Sequence, residues 1–178
     1  MNPIQKLMAE HQNILRGISA IELKIKTFEE NGKIDPEFIK MAIDFIRSYA
    51  DKYHHAKEED ILFIFMEKAG FSRDSGPIAV MLYEHDEGRD YIRKLEIANS
   101  RYADGDSSAS AEIIENSLAY SSLLRGHIQK EDNVLYPMAV KLLGESMIEK
   151  MGSDFKRVDR EMEGMEIKYL QILSKMSE

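Results

Sequence analysis

Residues 54–63 read HHAKEEDILF, and residues 127–137 read HIQKEDNVLYP. The two runs lie 73 positions apart and keep His, Lys, Glu, an acidic residue, Leu and an aromatic in register. In each, a Glu follows a His by four residues: His54 and Glu58, His127 and Glu131. On a helix that spacing is one turn, so both side chains share a face. The face is otherwise largely apolar. Steps of three and four give Ile39, Ile43, Ile46, Ala50, His54, Glu58, Ile61 and Phe65 around the first pair. Around the second they give Ile113, Ser117, Tyr120, Leu124, His127, Glu131, Val134 and Met138. This period marks two amphipathic helices. A carboxylate on a core-facing stripe is costly unless it finds a partner there.

Two further stripes supply partners. One runs Ile4, Leu7, His11, Ile14, Ile18, Ile21, Ile25 and Phe28, the other Ile78, Met81, His85, Gly88, Ile92 and Leu95. Their histidines also sit in echoing runs, LMAEHQNILRG at 7–17 and VMLYEHDEGRD at 80–90. The chain therefore reads as two copies of a helical hairpin, one hairpin for each of two metal ions.

Punctuation places the helices. Asn2-Pro3 and Asp35-Pro36 set a capping residue before proline, and Ser75-Gly76-Pro77 opens a third helix. Asn31-Gly32, Gly70 and the run DGDSS at 104–108 are stops. A cap among Ser107–Ser110 opens the fourth helix, which Pro137 is expected to kink or end, with Gly144 closing the remainder. The expected fold is all-α: an up-down-up-down four-helix bundle over residues 1–144. At 1.5 Å per residue, His11 and His85 lie about 13 Å and about 12 Å from their helix starts. His127 lies about 15 Å before Pro137, so the polar groups can meet in one layer.

Residues 145–178 carry another stripe, Met151, Phe155, Val158, Met162, Met165, Tyr169, Ile172 and Met176. They are expected to form a fifth helix of about seven turns. It would pack on the bundle flank or serve a homodimer or a protein partner, since methionine-rich surfaces adapt to varied contacts.

Composition narrows the chemistry. The 178 residues contain no Cys, which excludes disulfides, thiolate metal sites and iron–sulfur clusters, and fits a reducing cytoplasm. A net charge of −8 disfavours nucleic acid as a partner. The opening MNPIQKLMAEHQ does not read as a secretion signal, and no apolar run is long enough for a membrane span. None of the five histidines has Glu three residues before it, so a ferritin-type site is disfavoured, and the zincin motif is absent.

What remains is His11, His54, Glu58, His85, His127 and Glu131. Imidazole and carboxylate without thiolate suit iron, manganese or zinc. Two histidines and one carboxylate per hairpin fit non-haem iron, with the glutamates able to bridge two ions. A zinc-stabilised interaction bundle is the alternative.

The pattern H…HxxxE…H…HxxxE, with its KEExxLF- and KEDxxLYP-type flanks, resembles the hemerythrin-like proteins, or HHE cation-binding domains, over residues from about 5 to 143. The resemblance implies a four-helix bundle around two iron ions, bridged by an oxo or hydroxo group. The implied metal positions are His11, His54, Glu58, His85, His127 and Glu131. The family handles dioxygen, peroxide or nitric oxide, by carriage, sensing or redox chemistry. Oxygen carriers of the family place a second His one turn after the third-helix His. This chain has Arg89 there, which implies a more open site and favours redox chemistry or sensing over carriage. A non-catalytic sensor or iron donor signalling through the C-terminal helix is the second reading. Asp132 stands five residues after His127, where carriers have a ligand Asp, but Glu131 keeps the stripe.

Other residues take blander expectations. His55 lies about 100° round an α-helix from His54 and is expected outside the ligand set. Glu10, Glu59, Glu84 and Asp132 are expected on solvated faces. Tyr49, Tyr53, Tyr83 and Tyr120 are expected to pack.

Overall fold

A computed structural model describes residues 2–162 and 164–176. Helix α1 (Pro3–Asn31) opens on a reciprocal cap: the Asn2 side chain accepts from the Gln5 N–H, and the Gln5 side chain accepts from the Asn2 N–H. It closes at Gly32, whose φ of 65° suits glycine. Helix α2 covers 36–68 without a break. It starts as an α-helix over Pro36–Phe45, capped by Asp35, and widens to π-helix over Ile46–His55 and Glu58–Leu62. Phe63–Lys68 returns to α geometry. Helix α3 is Gly76–Ala103. After a 3₁₀ turn at Ser107–Ala109, α4 (Ser110–Lys130) leads through a π-turn, Glu131–Leu135, into α5 (Tyr136–Glu161). Helix α6 is Met165–Met176.

Two apolar clusters show the topology. The first holds Ile14, Ile39, Tyr49, Ile92, Ile113 and Leu124, the second Ile4, Leu7, Leu62, Ile78 and Leu135. Along α1 the chain passes from the second cluster to the first, and α2 returns. Helix α3 goes up again, and α4 comes back down. This is the up-down-up-down bundle. Each of these four passes between the clusters goes through a His or a His–Glu pair, so the polar layer has apolar packing above and below.

Two expectations are corrected. Pro137 neither ends nor breaks the helix. The preceding π-turn bonds the Tyr136 N–H to the Glu131 carbonyl, five residues back. Pro137 then falls in the first turn of the α-helix that resumes at Tyr136, where a missing N–H is tolerated. The break comes at Gly144, with φ 66° and ψ 171°. The tail is also not one helix. It divides between Glu161 and Met165, where Gly164 takes φ 83°. The side chain of Met165, part of the expected stripe, lies outside the described residues. Past Gly144, Ile148, Met151 and Phe155 join the second cluster, and Tyr169, Leu173 and Met176 join the first. No helix among the described residues is long and apolar enough to cross a membrane.

Candidate metal centre

The six residues singled out in the sequence meet in the middle layer. His11, His54, Glu58, His85, His127 and Glu131 are each at most 2% exposed. Their ligand atoms form two groups sharing one carboxylate: His11, His54, Glu58 and Glu131, and His55, Glu58, His85 and His127. Within each group the atoms lie within 4.8 Å of one another. Glu58 Oε2 stands 3.7 Å from His54 Nε2 and 3.6 Å from His85 Nε2. Glu131 spans the other way, with Oε2 at 3.2 Å from His11 Nε2 and Oε1 at 3.1 Å from His127 Nε2. Both carboxylates therefore reach imidazoles from each hairpin.

All five imidazoles are oriented alike. Nδ1 of His11 meets Asp132 at 2.8 Å, His54 meets Glu10 at 2.9 Å, and His55 meets Asp51 at 3.3 Å. His85 meets Glu59 at 2.7 Å and His127 meets Glu84 at 2.9 Å. A carboxylate at Nδ1 fixes the proton there and leaves the Nε2 lone pair free. The Nε2 atoms of His85 and His127 stand 3.0 Å apart. Without a cation one proton between them makes this a hydrogen bond; a bound cation would take its place. His54 Nε2 and Glu58 Oε2 are buried without a hydrogen-bond partner. Buried polar atoms are rarely left in that state. These donor atoms fit a metal pair.

Charge is distributed unevenly without a cation. Burial pushes His54 and His85 down, and His55 down to about 3. Burial opposes charge on His11 and His127 too. There the neighbouring carboxylates outweigh it, Asp132 and Glu131 for His11 and Glu131 and Glu84 for His127, and hold the rings at about 9 and about 10. Burial beside the Glu131 charge drives Glu58 well above the usual carboxylate range. Despite its own burial, Glu131 is held well below that range by His127 and His11. A bound cation would replace these protons.

The family model described as Hemerythrin HHE cation binding domain matches residues 2–139. This chain is a hemerythrin HHE-domain protein. It is also 22% identical over 152 residues to the uncharacterized proteins Mb2018 of Mycobacterium bovis and Rv1995 of Mycobacterium tuberculosis. Those matches cover 85% of this chain but 59% of each relative, so the chain spans little more than half their length.

Several residues of this HHE domain depart from expectation. His55 is 6% exposed and stacks on His85, with ring centroids 3.7 Å apart. Glu10, Glu59, Glu84 and Asp132 are not free surface carboxylates: each holds an imidazole. Glu10 is 2% exposed and also binds Lys57 Nζ at 2.5 Å. Its repeat partner Glu84 binds Lys130. Arg89 bonds Asp51 and Glu59 at 2.7 Å each, tying together the carboxylates behind His55 and His85. Of the expected tyrosines, Tyr49, Tyr53 and Tyr120 are buried and Tyr83 is 69% exposed. The tyrosine whose hydroxyl touches the ligand set is Tyr136, outside that group of four. Its hydroxyl donates to Glu58 Oε1 at 2.5 Å and lies 3.3 Å from His11 Nε2. Its repeat partner is Phe63, so that comparison alone marked it as a break in symmetry.

Proposed function

We propose that this HHE domain holds two iron ions and uses them in redox chemistry on, or sensing of, dioxygen, peroxide or nitric oxide. The observation that carries the reading is the pair of ligand groups that share Glu58, with Glu131 also lying against an imidazole of each. Bound iron would supply one-electron chemistry and coordination positions for a small ligand. The chain's own residues do the rest. Five carboxylates set the imidazole tautomers, the two apolar clusters exclude water, and Tyr136 donates a hydrogen bond to Glu58. Metal content and the visible spectrum test this. About two irons per chain with near-ultraviolet oxo-bridge absorption are expected. Zinc alone in protein from iron-replete cells would contradict it.

A sensor role is favoured by one further observation. Asp159 of α5 stands 3.1 Å from Lys57 Nζ, Lys57 binds Glu10, and Glu10 binds His54. The tail thus touches a hydrogen-bonded chain that ends on the ligand set. Hydrogen exchange in α5 and α6 should then differ between metal-loaded and metal-free protein. Identical protection in the two states would remove the sensor reading and leave redox chemistry.

A further inference from the structure

The two ligand groups differ in access. A pocket of about 220 Å³ has His55, His85 and His127 at one side of its lining. None of His11, His54, Glu58 or Glu131 borders it. Its walls are Gly88, Ile92, Tyr120, Leu123 and Leu124, and Arg89 and Arg93, with side chains 40% and 59% exposed, mark its solvent side. Its carboxylates are engaged: Asp51 by His55 and Arg89, Glu84 by His127 and Lys130.

The size does not suit a diatomic gas or peroxide alone. A dry apolar cavity of about 150 Å³ takes up benzene. The pocket therefore has room for roughly six to nine heavy atoms beside the imidazoles. A Cβ at Gly88 would come within 3.3 Å of the Tyr120 ring, so the third helix packs closely on that wall and sends no side chain into the pocket from this position. An apolar chamber with cation-binding groups at one side selects a molecule with an apolar body and an anionic head.

We infer that this pocket seats a small organic anion with an apolar tail, its head against the His55, His85 and His127 edge and its tail along Gly88, Ile92, Tyr120 and Leu124. The inference rests on the metal-centre reading above, because the cation attracts the head.

The test is a titration of iron-loaded protein with azide, acetate, butyrate, hexanoate and decanoate, followed by the visible spectrum. Burying a methylene strengthens binding about 3–4-fold. Affinity should therefore rise on the order of 100-fold over the four methylenes between acetate and hexanoate, then level off once the pocket is full. Gly88→Leu should abolish the gain while an azide response persists. Leu123→Phe narrows the same wall and stands in if the first variant folds poorly. An azide response with carboxylate affinity independent of chain length overturns this inference alone. So does a chain-length gain that survives both substitutions. No response to azide or to any carboxylate removes the metal-centre reading and this inference with it.

Discussion

Replacing Lys57 by Met probes the support behind His54 in a way that pH can read. Lys57 is fully buried. Its ammonium sits 2.5 Å from Glu10, 3.1 Å from Asp159 and 3.3 Å from the centroid of the Tyr53 ring. Removing one partner of a buried pair generally costs about 3–5 kcal/mol, because the other charge is left uncompensated. Here Glu10 has an escape. Burial already raises it from 4.5 to about 7, even with Lys57 beside it. Without the ammonium it would take up a proton. In the wild type that protonation is already half complete at pH 7, so most of its cost, about 1.36 kcal/mol per unit above the unfolded value of 4.5, is common to both proteins there. The two separate above pH 7, where the wild-type carboxyl ionises beside the ammonium and the variant's stays protonated. The sign with pH follows from linkage. A carboxyl whose folded pKa lies above its unfolded pKa contributes stability at low pH that is lost as pH rises, and the loss runs further where the folded pKa is higher. The penalty of Lys57→Met should therefore grow by about 2–3 kcal/mol between pH 6 and pH 9. Thermal melts of metal-free protein read this as a drop larger by about 4–12 °C at pH 9 than at pH 6. Adding Glu10→Gln should remove that pH dependence. A penalty equal at both pH values, or a pH dependence that survives in the double variant, would refute the reasoning.

Metal-free protein should lose stability steadily from about pH 6.5 to pH 9. His11 and His127 are held protonated at about 9 and about 10 by neighbouring carboxylates that outweigh burial, so their contribution is complete below 6.5 and is lost as pH climbs. Each proton is worth up to about 1.4 kcal/mol per pH unit, and loading with metal should flatten the profile; a metal-free melting temperature that is constant or rising over this range contradicts it. Arg89→Ala should cost at most about 1 kcal/mol of stability, because the side chain is 40% exposed, yet weaken metal retention about 10-fold. Chelator competition checks this, and unchanged retention would show that Asp51 and Glu59 hold His55 and His85 unaided. Gly17→Ala would push a methyl into the Phe45 ring and should destabilise by about 1–3 kcal/mol in denaturant melts. A neutral result would mean that Phe45 has free space to move into.

The bundle was readable because its signals agree. Caps at Asn2 and Asp35, stops at Gly32 and Gly70, and stripes of period 3.6 describe the same four helices. Where the reading failed, a local rule met a backbone it did not anticipate. Pro137 breaks an α-turn but follows a π-turn here, and Gly144 carries the break instead. The tail's stripe is real, yet Gly164 splits it, since a regular stripe does not exclude a glycine turn within it.

His55 is the most informative miss, and it has a physical cause. The angle of about 100° between neighbours holds for 3.6 residues per turn. Ile46–His55 is a π-helix, whose bonds reach five residues back. More residues per turn bring neighbours closer in angle, so His54 and His55 can both face the bundle interior. Periodicity at 3.6 could not show this. The internal repeat could. The partner of His55 is Ile128, which is 3% exposed. An apolar residue buried at the equivalent place implies that position 55 faces inward as well. The fifth imidazole then also changes what Arg89 means. Read from the motif alone, Arg89 marks a missing histidine on the third helix and a more open site. In the fold, the second helix offers an imidazole to the same group, and Arg89 braces it through Asp51.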